Sequence, residues 1–269
     1  MPRPGAARVA GSPAVRVVRA VLSQYAPSMS VQRLLAHAAA TLLLVSIGSI
    51  GLSSVPPAGG AAEPRVGNLP GVAAKAKPEF HGVAIRLDRD LRKRMTGVSW
   101  RRGCPVPLAG LRLLRVAHWG FDGRVRRGRL VVNADSARAM LTVMRRLFHF
   151  RFPIRRMQLV DAYGADDRRS MNADNTSAFN CREIAGRPGV WSQHAYGRAI
   201  DLNPVENPYV SGSYVSPSKG KPFADRRPIS KGMIAPRGNV VRIFGRAGWE
   251  WGGFWSGTQD YQHFSATGT

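Results

Sequence analysis

Apolar residues in this chain fall mostly into short runs broken by Gly, Pro and Ser, and two stretches stand out from that pattern. The first is LLAHAAATLLLVSIGSIGL, residues 34–52, preceded by Arg33 and followed by VPPAGGAAEP. A basic start, an apolar centre and a small-residue end predict a signal peptide over residues 1–62, cleaved near Ala62. Either Met1 or Met29 opens it. The run is also close to the length that spans a bilayer. An uncleaved N-terminal anchor is therefore the alternative, weakened by the Ser and Gly within the run. No cysteine lies near the cleavage position, which excludes a lipoprotein.

The second stretch is Ala137, Met140, Leu141, Met144, Leu147 and Phe148, apolar at helical spacing. It predicts a helix whose stripe faces the core. Asp135 or Ser136 caps it, and Pro153 ends the pattern. Short apolar runs predict strands over 129–133, 157–161 and 199–203. A short helix is expected over 239–247, ended by Gly248. A final strand pair is expected over 249–255 and 260–264. The Gly-rich and Pro-rich segments 164–177 and 205–231 read as long loops. Residues 63–96, rich in Pro, Ala and charge, read as a linker with one short element. The order of elements predicts an α+β class over 97–269: a single domain with a small, mostly antiparallel sheet and flanking helices.

Composition narrows the function. The chain has 269 residues, of which 44% are hydrophobic, so wholesale disorder is excluded. No collagen period and no heptads occur. Lys and Arg number 40 against 16 Asp and Glu, a net charge of +24, and only six of the forty are Lys. Without residues 1–62, which hold five Arg and no acid, the charge is still about +19. Such a field attracts polyanions: nucleic acid, anionic lipid or the phosphate-rich polymers of a bacterial wall. A GC-rich genome produces the same Arg bias without any such partner. The two cysteines, Cys104 and Cys181, form no C-x-x-C, which excludes a cysteine zinc knuckle. In an exported protein they would form one disulfide; in the cytosol they would be two buried thiols.

The chemistry is concentrated in two places. In SQHAYGRAIDLN, residues 192–203, strand alternation puts Ala199, Asp201 and Asn203 on one face and Ile200 and Leu202 on the other. With Ile200 and Leu202 in the core, Asp201 faces outward, and a loop folding back at Gly197 can bring His194 beside it. In DYQHF, residues 260–264, Asp260 and His263 lie three apart. Two His, one carboxylate and an open position make a catalytic zinc site. A second carboxylate is then needed to take a proton from water and pass it to the leaving amine. By spacing alone a structural histidine is the favoured reading of each His.

The pattern S-x-H-x-x-G-x-A-x-D, followed by W-x-W-G-G-x-W and D-x-x-H, resembles the D-alanyl-D-alanine carboxypeptidase-like family of zinc peptidases. The likeness runs from about Ser99 to Phe264 and includes GCPVPL at 103–108, WGFDG at 119–123 and NTSAFNCR at 175–182. The resemblance implies a fold of the D-alanyl-D-alanine carboxypeptidase and Hedgehog type with zinc in a cleft. It implies His194, Asp201 and His263 as zinc ligands and Asp260 as general base, where other members carry Glu. Ser192 would sit near the substrate. Arg182 would stabilise an oxyanion or bind a substrate carboxylate, with Arg169 as a rival. A disulfide between Cys104 and Cys181 would tie the N-terminal part of the domain to this region.

The expected function is a secreted zinc metallopeptidase that cuts amide bonds in peptidoglycan stem peptides, as a D-Ala-D-Ala carboxypeptidase or an L-Ala-D-Glu endopeptidase. Anionic cell-wall polymers are the further partner that the charge suggests. The alternative is an inactive, zinc-containing wall-binding module, and the carboxylate at Asp260 argues for the enzyme. The export signal and the lack of any nucleic-acid-binding motif count against nucleic acid as a partner.

Overall fold

The computed structural model describes residues 77–269. Residues 1–62, where the signal peptide or anchor is expected, lie outside the described residues. Among the described residues no helix is long and apolar enough to cross a membrane.

The folded unit starts with β1 (Gly82–Arg86) and α1 (Arg89–Met95), followed by the long strands β2 (Leu111–Trp119) and β3 (Val125–Asn133). The three strands form an antiparallel sheet in the order β1-β2-β3. Residues 82–95 are therefore structured, although the sequence reads as linker there. Strand β1 lies at the sheet edge and leaves Val83 and Ile85 exposed, so it shows no inward apolar alternation. Its pairing comes from backbone hydrogen bonds. Helix α1 buries Leu91 and Met95, and Asp88 caps its first turn by accepting from the Leu91 amide at 2.8 Å.

The strand expected at 129–133 is the inner end of β3. Its outer half carries exposed Arg126, Arg127 and Arg129, which hide the strand pattern. Helix α2 (Ala137–His149) follows as the spacing predicts, and buries Met140, Met144, Leu147 and Phe148. Ser136 starts it, but its hydroxyl donates to Asp135 instead of capping an amide.

Beyond α2 the strands are short. The strand expected over 157–161 is only β4 (Arg156–Met157), followed by a 3-10 turn over Val160–Tyr163. The Asn175 side chain replaces the ladder here: it accepts from the Gln158 amide at 2.8 Å and donates to the Gln158 carbonyl at 3.0 Å. The segment 164–177, read as loop, contains α3 (Asp167–Asn172) and β5 (Asn175–Thr176), with β5 parallel to β4. A hairpin of β6 (Glu183–Ile184) and β7 (Arg187–Trp191) precedes β8 (Ala199–Asp201).

The second long loop contains the hairpin β9 (Tyr209–Ser211) and β10 (Tyr214–Ser216), and leads to α4 (Asn239–Gly245). The closing segment does not form one strand pair. Gly252 and Gly253 turn the chain in a 3-10 turn, which splits it into β11 (Glu250–Trp251), β12 (Thr258–Asp260) and β13 (His263–Ser265). These complete two antiparallel sheets, β11-β13-β8 and β10-β9-β12.

The architecture is thus a mixed one, with small antiparallel sheets, one short parallel pair and few helices. Its main core joins β2, β3 and α2 to the inner faces of β8, β13 and α4. Phe264 on β13 stacks on Phe244 of α4 at 3.8 Å, and Ile200 lies beside Phe264 across the β8–β13 pair. Each fully buried side chain of this size contributes about 2–3 kcal/mol. A second core forms around Leu91, Met95, Leu111, Val131 and Phe179. The Cys104–Cys181 disulfide lies against it and joins the segment after α1 to the strand region before β6.

Candidate metal centre

The core dictates the site. Ile200 and Phe264 are register partners that point into the core, so their neighbours Asp201 and His263, also register partners, share the opposite face. His194 reaches the same place from a tight turn between β7 and β8. Three turn hydrogen bonds shape it: Ala195 to Ser192 O, Tyr196 to Gln193 O and Gly197 to His194 O. The turn is anchored to the end of β3, where the Asn133 amide donates to Gly197 O at 2.9 Å and Asn133 Nδ2 donates to Tyr196 O at 3.0 Å.

Gly197 is required in this turn. Its φ is +65°, and a Cβ there would lie 2.5 Å from the Asn133 amide nitrogen. Strain and backbone collision add, so Gly197→Ala should cost about 2–3 kcal/mol. The expected result in urea denaturation is a lowered midpoint together with weakened metal binding.

Three ligand atoms converge. His194 Nε2 lies 3.3 Å from His263 Nδ1 and 3.3 Å from Asp201 Oδ1, and His263 Nδ1 lies 3.1 Å from Asp201 Oδ1. The outward-facing nitrogens are occupied elsewhere: His194 Nδ1 donates to Ala178 O at 2.5 Å, and His263 Nε2 donates to Thr269 O at 3.3 Å. With the neutral rings donating through those outer nitrogens, the inward nitrogens turn lone pairs toward each other and a carboxylate, an arrangement that a metal cation or a bound proton must offset. A tetrahedral zinc with bonds of about 2.0–2.1 Å sets neighbouring ligand atoms roughly 3.3 Å apart. The residues present therefore fit zinc in both donor type and spacing, and the cluster can bind a metal ion.

Electrostatics agree. Burial alone would raise the Asp201 carboxyl, but the His194 and His263 imidazoles outweigh it and hold Asp201 below the ordinary carboxylate range. Burial works against a charged His263; the hydrogen bond and charge of Asp201, and then the charge of Asp260, outweigh it and raise the imidazole. The site thus attracts positive charge.

Asp260 ends β12, opposite Tyr209 on β9. Its Oδ1 is buried with no hydrogen-bond partner. Burial, and next the charge of Asp201, push its carboxyl up to about 6. A buried carboxylate oxygen without a partner costs stability, so its retention points to use. Gly252 makes room for the pair of motif residues: a Cβ there would lie 3.1 Å from Asp260 Cβ and 3.3 Å from His263 Cβ.

The other sequence candidates lie around this cluster. Ser192 is buried, and its hydroxyl accepts from the His194 amide at 3.3 Å, so its observed contact positions the ligand loop. Arg182 is joined to that loop through the Ser192 amide, which donates to Arg182 O at 3.1 Å, while its guanidinium pairs with Asp167. Among the described residues Arg182 makes no hydrogen bond or ion pair with the three ligand side chains. Arg169 pairs with Asp166 and is largely exposed. Trp249 and Trp251 are core, whereas Trp255 lies 5.5 Å from the His263 ring and donates to Gly268 O. Glu206 is buried against Arg155 and Asp174, in a loop-fixing position. Ala178 and Gly252 lie inside quoted motifs, but the sequence assigns no role to them or to Thr269. Ala178 and Thr269 act through backbone oxygens and Gly252 through a missing side chain, so no residue-type signal marks them.

Comparison with known proteins agrees with the motifs. Residues 185–266 match the family model described as D-alanyl-D-alanine carboxypeptidase, a segment that contains His194, Asp201, Asp260 and His263. The match supports the family suggested by the motifs and points to a peptidase of that type. Comparison with curated proteins and with solved structures gave no significant match.

Proposed function

We propose that the chain is a zinc metallopeptidase that acts outside the cytoplasm and hydrolyses amide bonds in peptidoglycan stem peptides. The observation that carries this reading is the triangle of His194, Asp201 and His263 ligand atoms at 3.1–3.3 Å, with both outer imidazole nitrogens already tied to backbone oxygens. His194, Asp201 and His263 would hold the ion. Zinc, when bound, supplies a Lewis acid that makes water more acidic and polarises a carbonyl.

The remaining chemistry belongs to the chain. Asp260 accepts the proton of the attacking water on its carboxylate and passes it to the leaving amine. A carboxyl pushed up to about 6 suits both halves of that transfer near neutral pH. Ser192 keeps the His194 amide in place, and the Ala178 and Thr269 oxygens orient the two imidazoles. Arg182, fixed by Asp167, would receive a substrate carboxylate or the developing oxyanion. Export is supported by the basic–apolar–small pattern of residues 1–62 and by the Cys104–Cys181 disulfide, which is at home in an oxidising compartment.

The test is mass spectrometry of a defined set of stem peptides incubated with the zinc-loaded protein. Loss of one D-Ala identifies a carboxypeptidase, and a cut between L-Ala and D-Glu identifies an endopeptidase. Intact peptides after incubation with folded, zinc-containing protein would refute the assignment.

A further inference from the structure

We propose that a cavity of about 420 Å³ beside the β2–β3 turn binds a phosphate ester, at a site separate from the His194–Asp201–His263 cluster. It is lined by His118, Phe121 and Asp122 of β2 and the turn, by Arg126 and Arg127 of β3, and by the segment Arg155–Gln158. None of these residues belongs to the metal cluster, and the inference does not depend on the peptidase reading.

The cavity is built by packing. Gly128 of β3 leaves the space that Met157 fills; a Cβ there would lie 2.7 Å from Met157 Cβ. Because Met157 seats against β3, the two arginines that precede it, at 155 and 156, come to the same place as Arg126 and Arg127. Arg155 is held on two sides, with Nε 3.2 Å from Asp174 and one Nη 2.9 Å from Glu206. Its guanidinium lies 3.8 Å over the Phe121 ring. Lys231 donates to Phe121 O, which fixes the turn and adds a cation near it. The wall is therefore largely preorganised.

The charges do not cancel within it. Arg126 is paired with Asp122 at 2.8 Å, and Arg155 is offset by Asp174 and Glu206. Among the described residues Arg127 and Arg156 have no acidic partner. Two guanidinium groups without a counter-charge match the charge of about −1.5 to −2 on a phosphate monoester, and its three oxygens suit the forked donors left to them, one Arg156 Nη already donating to Ala173 O. His118 is buried at 4% exposure and lines the same cavity. Its Nδ1 is bonded to Trp119 O, which leaves Nε2 as the other polar atom of the ring. The volume exceeds what phosphate alone needs, and Phe121 and Met157 provide an apolar wall for an attached polyol or sugar.

The source of the phosphate is either a free ester or a phosphodiester polymer, and the test separates them. Glycerol phosphate and a poly(glycerol phosphate) chain are titrated into the purified protein by calorimetry at fixed ionic strength. The comparison is between R127Q/R156Q and R237Q/R246Q, which remove the same charge from inside and outside the cavity. The expected result is saturable binding of at least one probe, weakened tenfold or more in R127Q/R156Q and less than twofold in R237Q/R246Q. The tighter probe names the source. R127Q alone removes a side chain with no hydrogen bond of its own, and should weaken binding severalfold if the double variant fails to fold. Equal weakening in both double variants, or no saturable binding of either probe, would overturn the proposal.

Discussion

Replacing His194 or His263 with alanine should strip the protein of zinc. Each imidazole provides one of three protein ligand atoms, held at 3.1–3.3 Å from the others. Structural zinc sites with four ligands bind with about 10–16 kcal/mol, so one ligand is worth roughly 3 kcal/mol, a loss on the order of a hundredfold in affinity. The loss at the bond between chain and metal should also appear in stability. Wild-type protein should melt at a higher temperature with zinc than with a chelator, because a ligand that binds only the folded state stabilises it. In His194→Ala and His263→Ala that difference should disappear. Competition titration against a chromogenic chelator, combined with thermal melts, measures both. Zinc held by His263→Ala as tightly as by wild type would remove His263 from the ligand set.

Asp260→Asn should do the opposite: keep zinc and lose turnover. The asparagine preserves the shape beneath Gly252 but cannot accept the proton. Loss of a positioned general base lowers rates by about 10²–10⁴-fold. Relief of the buried, unpartnered Oδ1 should leave the variant as stable as wild type or slightly more so. That combination separates a catalytic carboxylate from a structural one, whose loss would reduce stability and activity together. Steady-state kinetics on a stem peptide, alongside zinc content and urea denaturation, checks it. Turnover within threefold of wild type would take the base role from Asp260.

How much was legible in the sequence depended on which force shapes each part. The α2 stripe was readable because burial repeats every third or fourth residue from Ala137 to Phe148. The pairing of His194 with Asp201 was readable because alternation in β8 places Asp201 opposite Ile200, and a glycine at 197 turns the chain back, whereas His263 and Asp260 entered through the resemblance of their motifs to the zinc peptidases. The β2–β3 sheet was only half visible, since the arginines at 126, 127 and 129 occupy strand positions without apolar alternation. β1 is held by edge pairing and exposes its apolar residues, so pattern could not reveal it. The contact that ends β4 early is made by a side chain from Asn175, 17 residues downstream of Gln158. Long-range substitutions of this kind leave no local trace. The same holds for Ala178 O and Thr269 O, which orient the ligand imidazoles through atoms that every residue has. For Arg182 the sequence suggests a substrate role, while the neighbour that fixes it, Asp167, is seen only in three dimensions.

The most direct measurement is a zinc titration of the stripped protein with peptide hydrolysis as the readout. The account predicts no hydrolysis in chelator, a linear recovery as zinc is added, and a break at about one zinc per chain, as expected for one three-residue cluster. Hydrolysis that persists after zinc is removed, or its absence from folded protein carrying one zinc per chain, would contradict it.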